Sequence, residues 1–271
     1  MTHGLHPSRE ALEASQRPVV AVASPAIDSL GDLAASLAAD YGLTPDPWQA
    51  WVLDNWLATA GDNWANMTCG LAVPRQNGKN AALEIRELFG SIGRGEQILH
   101  TAHEVKTAQK HFRRLKYFFG QKANDPGAKF PELNALVKTV RNVNGQEAIY
   151  LKNGGSIEIA ARSKNSTRGF TVDVLVMDEA QQLTDEALEA LLPTTSAAPL
   201  GDPQWIYTGT PPGPSAEGEV FSRVRRDALS GESMRTCWDE WSPPGQPRSL
   251  ADVDLDDWDL WVRTNPAVMS G

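Results

Sequence analysis

The chain has 271 residues, 41% of them hydrophobic and 22% charged, with a net charge of −9. That length holds one large domain or two small ones, and the acidic balance excludes a protein coated in positive charge for nucleic acid, though not a local basic face. No apolar run approaches the roughly 20 residues of a membrane helix, and Cys69 and Cys237 form neither a metal-ligand pattern nor a disulfide framework, so a reducing, cytoplasmic setting is expected.

In chain order, residues 1–27 mix Ser, Pro, Ala and charge without periodicity and predict a mobile arm. Helical patterning begins near Ser29, and TPDPWQAWVLDNWLATA (44–60) places Trp48, Trp51, Val52 and Trp56 near one helical face. MTCGLAV (67–73) predicts a strand; residues 79–93 predict a helix with Ala82, Ile85, Phe89 and Ile92 at helical spacing. QILHTAH (97–103) predicts a short strand, followed by a helix over 104–119 with Ala108, Phe112, Leu115 and Phe119 inward. Residues 120–145, polar and broken by Pro and Gly, predict a surface excursion.

EAIYLKNGGSIEIAA (147–161) reads as a hairpin turning at Asn153-Gly154-Gly155. VDVLVMDEAQQ (172–182) is a buried strand running into acids, and LTDEALEALLP (183–193) is a helix capped by Thr184. QWIYTGTPPGP (204–214) is a strand ending in a rigid turn. Apolar strands alternating with helices predict an α/β fold, a mainly parallel sheet covered by helices on both faces. The span 241–271, with SPPGQP and DVDLDDWDLW, reads as a linker plus a short helix after a main domain at 28–240.

LAVPRQNGKN (71–80) carries the Gly-Lys pair of a phosphate-binding loop between a strand and a helix. Such a loop needs inward backbone N–H groups, a helix N-terminus and a lysine reaching the β and γ oxygens. Pro74, Arg75, Gln76, Asn77, Gly78, Lys79 and Asn80 are therefore the candidate nucleotide-binding residues. Val73 stands where the first glycine is usual, a loss that is mainly conformational. Asn80 stands where a Mg²⁺-facing hydroxyl is usual, and its amide oxygen is a reasonable hard-ion ligand. A Gly-Lys turn before an ordinary helix would look the same.

The second element changes the weighing. VLVMDEA (174–180) buries apolar residues and then presents Asp178 and Glu179 where ligands sit in open α/β sheets. Asp178 is the candidate metal residue with Asn80, Glu179 the candidate base, and Lys79 the catalytic cation. Arg168, ten residues before Asp178, is a candidate for stabilising transition-state charge, with Arg75 as rival. Thr208, Gly209 and Thr210 end another strand, where hydroxyls can feel the γ-phosphate, though a plain strand ending in a Pro turn reads equally well. Lys106, Lys110, Arg113, Arg114 and Lys116 lie off the apolar stripe of 104–119; they can meet DNA, though a solvated face is the plainer reading. His100 and His103, on a strand edge without carboxylate or cysteine partners, predict no metal site.

TPDPWQAWVL, VPRQNGKN, LHTAH, NSTRGFTVDVLVMDEAQ and IYTGTPP, in this order and spacing over roughly 40–240, resemble the ATPase domain of the tailed-bacteriophage large terminase subunit, the motor that pumps DNA into procapsids. The resemblance implies a RecA-like P-loop NTPase fold of the additional-strand, catalytic-Glu class, with strand 204–210 between the phosphate-loop and Asp-Glu strands. It implies ATP and Mg²⁺ as cofactors, Trp48 and Gln49 as adenine-recognition residues, Thr208–Thr210 as the coupling motif, and Arg168 as an arginine offered in trans. Implied partners are double-stranded viral DNA, the portal and procapsid, a small terminase subunit and further copies in a ring, in the host-cell cytoplasm and without a membrane.

Large terminases continue into an RNase H-like nuclease domain; residues 241–271 would be the linker or lid toward it, and no DNA cleavage is expected of the given chain. A helicase-like DNA-dependent ATPase and a nucleotide-binding assembly module that does not hydrolyse are the alternatives. The first would need a second RecA-like domain, and the second draws on the loop's two departures.

Overall fold

A computed structural model of the chain describes residues 9–143, 145–162, 169–211, 218–244 and 252–267. Its elements are α1 (Arg9–Ser15), β1 (Val20–Val22), β2 (Asp28–Ser29), α2 (Gly31–Asp40), α3 (Pro47–Trp56), β3 (Ala58–Ala60), β4 (Asn63–Trp64), β5 (Thr68–Ala72) and α4 (Lys79–Phe89). There follow β6 (Gln97–Ala102), α5 (Val105–Phe119), α6 (Pro131–Leu136), β7 (Val137–Arg141), β8 (Glu147–Leu151), β9 (Ser156–Ala161), β10 (Val174–Met177) and α7 (Asp185–Leu191). The last are β11 (Gln204–Gly209), α8 (Glu219–Ser230), β12 (Thr236–Glu240) and α9 (Trp258–Arg263). No helix among the described residues is long and apolar enough to cross a membrane.

A nine-stranded sheet in the order β1-β12-β5-β11-β10-β6-β9-β8-β7 organises the molecule. From β12 to β9 every pairing is parallel, and the antiparallel pairs lie at the two edges. β11 lies between β5 and β10, the place expected of strand 204–210. The central strands read as continuous apolar runs because both faces are covered. In β10, Val174 and Val176 pack with Trp56, Leu83, Phe112 and Leu115 on one face, while Leu175 and Met177 pack with Leu188, Val220 and Phe221 on the other. Complete burial of Phe112, Leu115, Phe118 or Phe119 on α5 is worth about 2 kcal/mol apiece, enough to hold this otherwise polar helix on the sheet.

Three expectations change. The predicted mobile arm is built into the domain from residue 9: Ala11 and Ser15 on α1 are fully buried, Trp241 Nε1 donates to Ser15 O at 2.7 Å, and β1 pairs with β12. Composition hid this, since β1 is a three-residue strand of which no residue is fully buried. The excursion at 120–145 contains α6 and the edge strand β7, whose largely exposed VKTVR carries no apolar signature. The span after 240 folds back: Gln16 Nε2 donates to Pro266 O at 2.8 Å, bringing the segment after α9 against α1. Residues 1–8 lie outside the described residues.

Candidate nucleotide site

β5 delivers the chain to the carboxyl edge of the sheet, where Val73 is fully buried and donates its N–H to Gly209 O at 3.0 Å. A valine is accommodated there because the position still packs as part of the sheet end. The loop then turns through two left-handed residues, Gln76 (φ 64°) and Gly78 (φ 80°). At Gly78 a Cβ would be strained by its φ and would stand 3.0 Å from Gln49 Nε2. α4 starts at Lys79, so its unpaired N–H groups and positive dipole end face the cleft.

β10 delivers the acids. Asp178 Oδ1 accepts from the Lys79 ammonium, from Thr208 Oγ1 at 2.8 Å and from the Glu179 N–H at 2.8 Å. No donor among the described residues reaches its Oδ2. Burial pushes this carboxyl up, but Lys79, His100 and the Thr208 hydroxyl outweigh it and hold it well below the usual carboxylate range. Glu179 follows with φ 54°, left-handed backbone unusual for a residue with a side chain. Thr107 Oγ1 lies 3.4 Å from its Oε1, while its buried Oε2 has no partner among the described residues.

The resulting cleft, about 840 Å³, is lined by all seven expected loop residues from Pro74 to Asn80, by Asp178 and Glu179, and by Gly209 and Thr210. His103, Glu104, Thr107 and Lys110 close its side from the start of α5, and Gln181 and Gln182 from the turn after Glu179. Its volume and polar lining suit a compact polyanion. A Cβ at Gly209 would lie 2.5 Å from Gln181 Oε1 and 3.0 Å from the Phe221 ring, so a side chain there would push Gln181 away from the Thr210 N–H that it accepts. Thr208 is fully buried on Asp178, so of the two threonines it is Thr210 that opens on the cleft.

Other expected residues land elsewhere. Trp48 is fully buried, packed edge-on against Trp241 at 5.3 Å, and Gln49 is 4% exposed with both ends engaged. Gln49 Oε1 accepts Asp46 N–H at 2.8 Å as a helix cap, and its Nε2 donates to Gly78 O at 3.0 Å. Neither residue faces the cleft; Gln49 ties α3 to the phosphate loop. Among the basic residues of α5, Lys110 lines the cleft. Arg114 makes a two-pronged ion pair with Glu84 at 3.0 and 2.9 Å, Lys116 donates to Asn142 at 3.1 Å, and Arg113 is exposed. Arg114 and Lys116 are thus engaged within the domain, while Lys106, Lys110 and Arg113 are exposed along α5. Arg168 lies outside the described residues.

His100 is not at a strand edge, and it has a carboxylate partner. It is fully buried on β6, with Nδ1 2.7 Å from Glu87 Oε1, while His111 Nε2 lies 2.6 Å from Glu87 Oε2. The two imidazoles stack at 3.9 Å and 15°. Their lone pairs thus lie in separate, nearly parallel planes that do not meet at one cation, and the N–O separations are hydrogen-bond lengths. Burial pushes the Glu87 carboxyl up, but His111 and His100 hold it at about 2. Burial lowers and Glu87 more than restores His111, which ends raised, whereas burial and His111 leave His100 lowered.

Sequence reading missed one residue, Arg162, and a second role of an expected one, Asn77. Asn77 donates to Asn265 Oδ1 at 3.1 Å and accepts from Ala267 N–H at 2.9 Å, clasping the segment after α9. Arg162, just past β9, reaches the main chain of both acids; burial pulls its guanidinium down to about 10 against the pull of Asp178 and Glu179. Nothing local marks Arg162, or the clasp that Asn77 makes on the segment after α9.

No family model and no curated protein matches the chain. Among solved structures it is similar to the HK97 bacteriophage large terminase, with TM-score 0.69 and 18% identity over 88% of this chain and 48% of that one. The Thermus phage P74-26 large terminase ATPase domain gives 0.49 at 18% identity, over 68% and 71% of the two chains. A large terminase from another thermophilic bacteriophage gives 0.47 at 15% identity, over 71% and 45%. The chain spans about half the length of the HK97 protein. At this identity the HK97 likeness establishes the fold alone, a RecA-like α/β fold shared with a phage large terminase.

Proposed function

We propose that this terminase-like fold houses an ATP-hydrolysing motor that moves double-stranded DNA into a procapsid. The observation that carries the reading is the meeting of Lys79, Asp178 and Thr208 at one carboxylate oxygen, with Glu179 beside them and a phosphate loop opposite. Lys79 and the amides at the start of α4 bind the β and γ oxygens, Lys79 leaving Asp178 for the phosphate. Glu179, whose buried Oε2 has no partner among the described residues, takes the proton of a water aligned with the γ-phosphorus. Arg168 stabilises the developing charge from a neighbouring copy.

The residues fit Mg²⁺: Asp178 is held ionised with Oδ2 free of donors among the described residues, and the Asn80 amide lines the same cleft. When bound, the ion neutralises charge on the β- and γ-phosphates. Thr208 keeps Asp178 oriented while Thr210 faces the substrate, which supports a coupling role for the turn at 208–210. The portal, a small terminase subunit, ring copies and DNA are the partners this reading requires.

A nucleotide-binding assembly module is the second reading, favoured by one observation: Lys79 is seated on Asp178 in a loop that lacks the usual hydroxyl at Asn80. ATP turnover in the presence of Mg²⁺ separates the two. Binding without turnover, under conditions that assemble a ring, would leave only the module.

A further inference from the structure

Arg162 stands at the carboxyl ends of three neighbouring strands at once. Its own N–H donates to Ala102 O at 2.9 Å, continuing the β9–β6 ladder by one residue. Its side chain then crosses the end of β6 toward β10. Nη1 donates to Asp178 O at 2.6 Å and reaches Thr101 O at 3.2 Å and Thr101 Oγ1 at 3.4 Å; Nη2 donates to Glu179 O at 3.1 Å. Thr101 O also accepts the Asp178 N–H at 2.8 Å and Glu179 O the Gln182 N–H at 3.0 Å, so among the described residues it is Asp178 O, at the end of its strand, that depends on Arg162, and an unpaired buried carbonyl is costly.

Glu179 needs such support. Its φ of 54° is sparsely populated by residues with a side chain, and such backbone persists only where the surroundings fix it. Asp178 Oδ1 holds the Glu179 N–H from one side at 2.8 Å, and Arg162 holds the carbonyls before and after the Glu179 Cα. The planar guanidinium can satisfy diverging acceptors with one group, which an ammonium on a flexible stem cannot do in the same geometry.

We propose that Arg162 is a positioning residue for the acid pair: by clamping the main-chain carbonyls of Asp178 and Glu179 it fixes the left-handed backbone that turns the Glu179 carboxylate into the cleft. This rests on the ATPase reading for its kinetic consequence, but its structural consequence stands without it. Arg162 touches no lining of the phosphate loop, so its loss acts on the acids and leaves the loop.

The test uses the full chain with Arg162→Gln and Arg162→Lys, checked for folding by thermal melting. With ATP and Mg²⁺, Arg162→Gln lowers kcat by about tenfold or more while KM for ATP stays within about threefold, and Arg162→Lys recovers only part of the loss. Amide hydrogen exchange over 178–182 speeds up by about tenfold in Arg162→Gln while exchange over 74–80 is unchanged. If the glutamine variant does not fold, the same measurements on Arg162→Lys decide. A kcat within about twofold of wild type, or unchanged exchange over 178–182, overturns the proposal. Absence of turnover in the wild type would count against the ATPase reading alone; the exchange comparison would still decide the role of Arg162.

Discussion

Lys79 and Asp178, 99 residues apart in the chain, are joined by an ion pair across the carboxyl ends of β5 and β10, and Thr208 on the strand between them donates to the same oxygen. Three strands thereby share one buried carboxylate. Removing the cation alone strands that charge. Lys79→Met should destabilise the nucleotide-free protein by about 3 kcal/mol, and the double variant with Asp178→Asn should recover much of that. Denaturant melts of the four proteins in the cycle measure the coupling; equal losses in the single and double variants would show that the pair does not hold the sheet ends together.

Gln49 gives a prediction that distinguishes two jobs. As the tether between Asp46 N–H and Gly78 O it should contribute about 1 kcal/mol of stability. Gln49→Ala should therefore weaken ATP and GTP binding alike, through the loop. A change in the preference for ATP over GTP would instead restore Gln49 as a reader of the base.

The Glu87 cluster predicts an acid transition. Its carboxyl stands at about 2 in the folded protein against 4.5 ordinarily, so it contributes stability above pH 4.5 that is lost as pH falls through about 2. The contribution is about 3 kcal/mol. His111, raised, stabilises below its ordinary 6.5 and loses that as pH rises through its elevated value; His100, lowered, opposes it. The acid side is therefore the clean readout. Glu87→Gln should lower stability near pH 6 and flatten its fall below 4.5, in melts followed between pH 2 and 7. An unchanged acid slope would place the pH sensitivity elsewhere.

Arg168 is tested by mixing. Arg168→Ala and Glu179→Gln subunits, each inactive alone, should recover ATP turnover when combined if the arginine serves a neighbour's site. Rescue should rise with protein concentration as the copies assemble. No recovery in assembled mixtures would contradict action in trans.

How much of this is legible in the sequence follows burial. β10, β11 and the loop are readable because apolar strands end in chemically distinctive residues: Asp178-Glu179, Thr208–Thr210 and Gly78-Lys79. β12 is not, because its TCWDE carries two acids in a fully buried strand. Asp239 survives there by accepting from Trp51 Nε1 at 2.9 Å and from Asn55, and Glu240 by pairing with Arg225; partners more than 180 residues away, or on another element, leave no local pattern. His100 reads as an isolated edge histidine for the same reason, since its partner Glu87 comes from the helix over the sheet. Trp48 and Gln49 carry no local sign that tells a base reader from a buried support, and it is their burial that places them behind the loop.

The most direct measurement is steady-state hydrolysis of ATP with Mg²⁺ by the wild type, Glu179→Gln and Lys79→Ala at concentrations that support assembly. The account predicts turnover in the wild type, a fall of about 10²–10⁴-fold in Glu179→Gln with ATP binding retained, and loss of both binding and turnover in Lys79→Ala. Wild-type protein that binds ATP without hydrolysing it, or Glu179→Gln turning over as fast as wild type, would contradict it.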